Sequence, residues 1–393
     1  MYMKTKSLLV LGALFSLLII VGQWPPLADA SPALVCAVPG DFGTIQAAVD
    51  DPDCETINVG NGIFTENVTI DRMVTIVGQG ADHTEVNGNA SDSVFTMATE
   101  DLVTLKDLKI TNGFADSGGG ISNINGMVVV ENSTISGNSA SFRGGGIFTQ
   151  GAFGSASMTI INSVLSDNSA EDRGGGLENE GDDATVTIVD STFDNNSAPE
   201  GGGIWNAGMM NLFNSTLSGN IVYHPIGTSS MLGGGIYNSS GSTTIQNSTL
   251  NDNSAGIAGD SIFNNSGSVT LGNSILTNNN TEGAPENCAG DDVTSEGYNL
   301  ESGNTCNLIA AGDMTDTDPL LSPLADNGGE TPTHALLTGS PAIDAGNCPG
   351  EDTDQRGFSR PVDMLGVPNA ADACDMGAYE VHYVIYLPFM PRH

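Results

Sequence analysis

Positive charge is scarce in this chain. Its 393 residues carry 10 Lys and Arg against 47 Asp and Glu, a formal net charge of −37. Nucleic acid and anionic lipid are excluded as partners, because binding either needs clustered cations. The acidity reads instead as solubility outside the cell. Aromatics make up only 6% of the residues. An apolar repeat of 3.6 residues is missing, which excludes helical solenoids. A regular leucine skeleton is also missing, which excludes leucine-rich repeats, and the units described below are too short for propeller blades. There is no His-Glu-x-x-His motif, no P-loop and no nucleophile elbow. The five histidines are scattered. With no EF-hand or glycine-rich nonapeptide calcium motif, no cofactor is expected; Ca2+ held by pairs such as Asp182-Asp183 or Asp291-Asp292 stays open as the alternative.

What is present begins with an export signal. Lys4 and Lys6 precede an apolar run over residues 8–21, and Ala28-Asp29-Ala30 is a small-residue cleavage site. The run is short of the roughly 20 residues that a transmembrane helix needs. Residues 1–30 are therefore expected to be removed, leaving an extracellular or cell-surface protein with no membrane span. Six cysteines in an exported chain suggest disulfides. Their positions along the chain suggest the pairs Cys36–Cys54, Cys288–Cys306 and Cys348–Cys374, all outside the repeats, where terminal coils fray first.

The dominant signal is an internal repeat. Gly-Gly-Gly-(Ile/Leu) begins at Gly118, Gly144, Gly174, Gly201 and Gly233, at spacings of 26, 30, 27 and 32 residues, with a worn copy at Gly259. A second phrase recurs within each unit, as in Asn132-Ser-Thr-Ile-Ser-Gly-Asn138 and Asn162-Ser-Val-Leu-Ser-Asp-Asn168; residues 107–113 are an earlier, worn copy of it. Short β-rich runs separated by Gly, Ser, Thr and Asn turns predict one coil of a right-handed parallel β-helix per unit, an all-β solenoid. Stacking then predicts an internal ladder of Ile121, Ile147, Leu177, Ile204, Ile236 and Ile262. A second would comprise Ile135, Leu165, Phe193, Leu217, Leu250 and Leu276. Asn132, Asn162, Asn214, Asn247 and Asn273, interrupted by Asp190, are expected to form an inward amide ladder at one bend. Asn138, Asn168, Asn196, Asn220, Asn253 and Asn279 mark a second turn. About nine or ten coils, roughly 45 Å in all, are expected.

The expected divisions are the signal at 1–30, an N-terminal cap and first coils at 31–90, and repeats at 91–283. A C-terminal β-helix region at 284–380 and an apolar tail at 381–393 follow. The tail is either a sorting tag or a last strand. In the cap, Phe42-Gly-Thr-Ile-Gln-Ala-Ala-Val49 predicts a short amphipathic helix over the first coil. Insertions around Gly151 to Ser155 and Val222 to Ile226 predict loops on one face, with His224 at the surface.

Three segments resemble known families. Residues 42–49, Val59-Gly-Asn-Gly-Ile-Phe-Thr-Glu-Asn-Val-Thr-Ile70 and Val77-Gly-Gln-Gly-Ala-Asp82 resemble the start of pectin-lyase-like β-helix proteins. The repeats resemble the polymorphic outer-membrane protein repeat, with Gly202-Gly-Ile204 and Phe193-Asp-Asn-Asn196 matching its two hallmarks and Leu or Ile replacing that Phe elsewhere. Pro323-Leu-Ala-Asp-Asn-Gly-Gly329, Ser340-Pro-Ala-Ile-Asp-Ala-Gly346, Asp354-Gln-Arg-Gly-Phe-Ser-Arg-Pro361 and Cys374-Asp-Met-Gly-Ala-Tyr-Glu380 resemble a choice-of-anchor region of bacterial surface proteins. The resemblance implies a secreted or cell-surface β-helix with an adhesive role. The residues after 290 are too few for the autotransporter barrel of the polymorphic family, so integral outer-membrane residence is not expected. No catalytic residues transfer, because no catalytic motif matches.

Two candidate sites remain. Strand alternation turns the residue after each ladder Ile or Leu outward. Down the coils this column reads Ser122, Phe148, Glu178, Trp205, Tyr237, Phe263. An exposed stripe of Phe148, Trp205, Tyr237 and Phe263 would stack on sugar rings or grip a partner protein. The other candidate is Arg143 and Arg173, each just before a Gly-Gly-Gly, with Asp167, Glu171 and Asp172 near in sequence. As chemistry it would be a polysaccharide lyase site, and as structure a salt-bridged surface ladder. The leading expectation is adhesion or glycan binding without catalysis. A polysaccharide-active lyase or esterase is the alternative, and a structural envelope protein the third.

Overall fold

The computed structural model describes residues 34–152, 154–223, 231–277 and 286–382. The expected signal peptide, His224, Asn279 and most of the apolar tail lie outside these residues.

Short strands coil into a parallel β-solenoid. Four sheets run along it, of 11, 10, 9 and 5 strands, and in each the neighbouring strands come from successive coils. The 11-stranded sheet runs from Leu34–Val38 to Val293–Gly297. Its ten inter-strand steps make it roughly 48 Å long. Both aliphatic ladders are present. Ile121, Ile147, Leu177, Ile204, Ile236 and Ile262 pair in register along the nine-stranded sheet. Ile135, Leu165, Phe193, Leu217, Leu250 and Leu276 do so along the ten-stranded sheet. Every one of these side chains is fully buried. Burial of each stabilises the fold by roughly 1.5–3 kcal/mol. A third ladder, with Leu105, Val130, Ile160, Ile188, Leu212 and Ile245, closes the core from the 11-stranded sheet.

Glycine is required at the corner between the five- and nine-stranded sheets. Gly144 holds φ at +58° and a Cβ on Gly145 would lie 2.3 Å from Ser169 O. Only a residue without a side chain lets adjacent coils approach this closely.

The asparagine columns differ from expectation in one respect. Asn132, Asn162, Asn214, Asn247 and Asn273 do not point inward. They sit at φ of 45–50°, as does Asp190 at 51°. Asn and Asp tolerate this left-handed conformation best among residues with a side chain. Their side chains link along the outside, as when Asn273 Nδ2 donates to Asn247 Oδ1 at 2.9 Å. The inward amide ladder is the other column. Asn138, Asn168, Asn196, Asn220 and Asn253 are buried, and each donates through Nδ2 to the Oδ1 of the next at 2.8–3.1 Å. A second buried ladder links Asn179, Asn206, Asn238 and Asn264. Ser133, Ser163, Ser191, Ser215, Ser248 and Ser274 form a third, each hydroxyl accepting the backbone N–H of the Ser before it or, at Ser133, that of Leu108. Turn backbone donors inside the coil, Ser163 N and Asn168 N among them, thereby find acceptors, which the interior demands.

The N-terminal end is covered by the helix Ile45–Val49, shorter than expected because the Thr44 hydroxyl caps it by accepting Ala47 N. Glu66 accepts the N–H groups of Ile45 and Gln46 at 2.9 and 3.1 Å. All three expected disulfides are present, Cys36–Cys54, Cys288–Cys306 and Cys348–Cys374.

The solenoid ends sooner than the 284–380 segment suggested. Its last described strands are Val293–Gly297 and Leu300–Glu301; beyond them the described residues form only isolated bridges. It turns back along the outer face of the ten-stranded sheet as a strap. Thr192 Oγ1 donates to Pro332 O, Thr216 Oγ1 to Gln355 Oε1, and Ala378 N to Thr249 Oγ1, at 2.6–3.1 Å. The strap's root is apolar, where Leu336, Ile343 and Met376 pack on Ile275 and Leu300.

Candidate functional site

The outward column forms as expected. Phe148, Glu178, Trp205, Tyr237 and Phe263 occupy one position in five successive strands of the nine-stranded sheet. Trp205 and Tyr237 stack at 6.3 Å with planes 5° apart, and Tyr237 and Phe263 at 5.4 Å and 21°.

The stripe is not exposed, however. Phe148, Trp205 and Tyr237 are 4%, 5% and 7% exposed, and only Phe263 is half-buried. The rings spend their faces on one another and on a roof from the glycine corner. There Arg143, Arg173, Glu200 and Leu232 bridge successive coils. The Arg173 guanidinium lies 4.4 Å above the Trp205 ring. Such a contact is favourable by about 0.5–2 kcal/mol. A sugar ring therefore has no free face of Trp205 to stack on unless Arg173 moves.

Arg143 and Arg173 do converge, but on a carboxylate the sequence reading had left in the aromatic column. Glu178 Oε1 lies 3.9 Å from Arg143 Nε and 3.8 Å from Arg173 Nε. Arg143 also pairs closely with Glu180, which accepts Gln150 Nε2 at 2.9 Å. Asp172 joins at 3.3 Å from Arg173 Nε. Asp167 does not belong: it lies in a turn at φ 56°, where its charge acts on Asp194 instead. Glu171 acts on Tyr223.

Glu178 is fully buried, and burial pushes its carboxyl up to about 8 against the opposing pull of Arg173 and Arg143. Neither of its oxygens has a hydrogen-bond partner, and the same is true of Arg143 Nε, Arg173 Nε and Trp205 Nε1. Buried polar atoms are paired almost everywhere in folded proteins. Five orphans at one place mark the outer face of the nine-stranded sheet as the candidate site. It holds a buried acid poised to keep its proton at neutral pH, two guanidiniums on adjacent coils and a stack of rings. Such an arrangement can bind polar ligands at its rim and exchange a proton. Sequence reasoning missed Glu178 and Glu180; the available signal was an acid interrupting an aromatic column beside two corner arginines.

Among the described residues, no three His, Cys, Asp or Glu side chains group as a metal site. Asp182-Asp183 and Asp291-Asp292 are exposed. No described helix is long and apolar enough to cross a membrane. Fold and site together define a disulfide-closed parallel β-solenoid with an arginine-roofed aromatic column on one face. Compared with protein-family models and with the curated proteins, the chain matches none.

Proposed function

We propose that this chain is an exported surface β-solenoid that contacts an extracellular glycan or partner protein without catalysis. The observation that carries this reading is the cluster of orphaned polar atoms around Glu178, set against the Trp205–Tyr237–Phe263 stack. Contact is made at the rim of the face, where Phe142 is exposed, Phe263 is half-buried, and Arg143 and Arg173 are partly open. Three disulfides suit an oxidising compartment. The basic start, apolar run and Ala28-Asp29-Ala30 support export. The repeat phrases resembling the polymorphic outer-membrane protein repeat, and the residues 323–380 resembling a choice-of-anchor region, support a place at the cell surface.

The runner-up is a polysaccharide lyase, favoured by the buried acid of Glu178 beside two arginines. A glycan array probed with the wild type and with Arg173→Ala and Phe263→Ala separates the readings, followed by pectate-type substrates with and without Ca2+. Binding that both variants weaken, with no new ultraviolet absorbance from an unsaturated product, supports the proposal. That absorbance would support the lyase, and no binding at all a purely structural role.

A further inference from the structure

The strap is held to the solenoid in two unlike ways. Its root is apolar, on Ile275 and Leu300. Its tip, residues 325–334 and 351–361 on either side of that root, crosses to the coils through polar contacts. Thr331 Oγ1 donates to Asp190 O at 3.0 Å, Gln355 Nε2 to Thr192 Oγ1 at 2.9 Å, and Asn214 Nδ2 to Thr353 O at 3.1 Å.

Charge is unbalanced behind this tip. Asp344, Asp354, Asp375 and Glu380 are fully buried against only two guanidiniums, Arg356 and Arg360. Arg356 is taken by Asp354, and Arg360 by Glu380 at 2.9 Å. Asp375 receives only backbone N–H groups, from Asp344 at 2.8 Å and Val381 at 2.6 Å. Across the interface Asp190 stands where neighbouring coils carry Asn162 and Asn214. Its Oδ1 is buried with no hydrogen bond, and it faces Asp354 and Glu351 of the strap.

We propose that the strap tip is a proton-sensitive latch, closed over the outer face of the ten-stranded sheet while Asp190 and Asp375 carry protons and released when they ionise. Release would join Thr192 and Thr216 to the half-exposed Lys109, Thr134 and Val164, lengthening the open face. Burial, then the charge of Glu380, raises Asp375 to about 7; burial, with Asp354 and Glu351 adding to it, raises Asp190 to about 7 despite the Asn214 hydrogen bond. Carboxyls raised on closing favour the closed form at low pH, and that advantage is lost as pH climbs from about 4 to about 7. One strap group opposes them. Burial holds His334 neutral, against Ser218 and Asn251 with Asp252 nearby, and this favours closure as pH rises. Two carboxyls outweigh one imidazole.

Hydrogen exchange of the full chain, corrected for intrinsic rates, tests the latch. Between about pH 4.5 and pH 8, the opening constant of amides in residues 325–334 and 351–361 should rise by at least about 10-fold, with the first coils, over residues 54–111, unchanged. Asp190→Asn and Asp375→Asn together should flatten that rise. Asp190→Asn alone should reduce it, and this variant uses a residue the neighbouring coils already accept. A rise absent in the wild type, undiminished in Asp190→Asn, or shared equally by tip and coils would overturn the proposal.

Discussion

Replacing Asn196 by Ala would test whether the inward amide ladder, and not the outer asparagine column, holds the coils together. Asn196 Oδ1 accepts both the backbone N–H and the Nδ2 of Asn168, at 3.1 and 3.0 Å. Its Nδ2 donates to Leu165 O and to Asn220 Oδ1, each at 2.9 Å. The substitution orphans the Asn168 amide N–H outright and strips one bond each from Asn168 Nδ2 and Leu165 O. At about 1–3 kcal/mol for each buried group left unsatisfied, the loss should be about 3–5 kcal/mol. Asn162→Ala, at φ 48° in the outer column, should cost only the left-handed strain of about 1–2 kcal/mol. A long repeat array need not unfold in one step. Local opening free energies from hydrogen exchange over residues 165–220 are therefore the proper assay. Asn196→Asp should be worse than Ala at neutral pH, since a carboxylate would face Leu165 O and Asn220 Oδ1, and should recover on acidification. Equal losses for Asn196→Ala and Asn162→Ala would refute the assignment of the load to the inward ladder.

Three further outcomes are expected. Glu178 is raised to about 8 on folding, so the stability it contributes is complete below about pH 4.5 and lost as pH rises to about 8. Glu178→Gln should unfold at a higher temperature than the wild type at pH 8.5 and about the same at pH 5; a lower melting temperature at both would mean that the two arginines need the charge. In Gly175→Ala the new Cβ would meet Gly202 O at 2.3 Å and Ser197 N at 2.4 Å, both backbone, so urea stability should fall by about 3 kcal/mol or more. Cys36→Ser with Cys54→Ser opens a link of 18 residues, which should cost about 3 kcal/mol and speed exchange in Leu34–Val38 and Cys54–Val59, leaving the central coils protected.

Ladder positions were legible because a solenoid repeats its own register. Once Ile121 and Ile147 are recognised as equivalent, their stacking and burial follow. Direction at a bend was not legible. Asn132 and Asn138 bracket the same short strand, and only the backbone dihedral, +48° at Asn132, decides which of the two faces out. Exposure of the aromatic column was not legible either. Alternation turned Trp205 outward correctly, but burial depends on a corner residue one coil away, Arg173, reaching over it. The strap's path was hidden for a related reason: Gln355 meets Thr192 and Thr216 across more than 130 residues, with no repeat to announce the contact.

A repeat array places every side chain about 4.8 Å from its own copies. Neutral amides and hydroxyls exploit this by passing donor to acceptor, as the Asn168–Asn196–Asn220 chain does. Like charges in such a column would repel by about 3–4 kcal/mol per step at an effective dielectric of about 20. An ionisable side chain there needs an opposite charge on the next coil, as Lys106 finds in Glu131, or groups from outside its column, as the stacked Arg143 and Arg173 find in Glu178 and Glu180. The two most perturbed acids of the solenoid obey this rule. Glu178 interrupts the aromatics and draws in Arg143 and Arg173 from the corner. Asp190 interrupts the asparagines and faces the strap. In this chain the departures from periodicity, more than the periodicity itself, carry the chemistry, and both were visible in the sequence as acids where a ring or an amide was due.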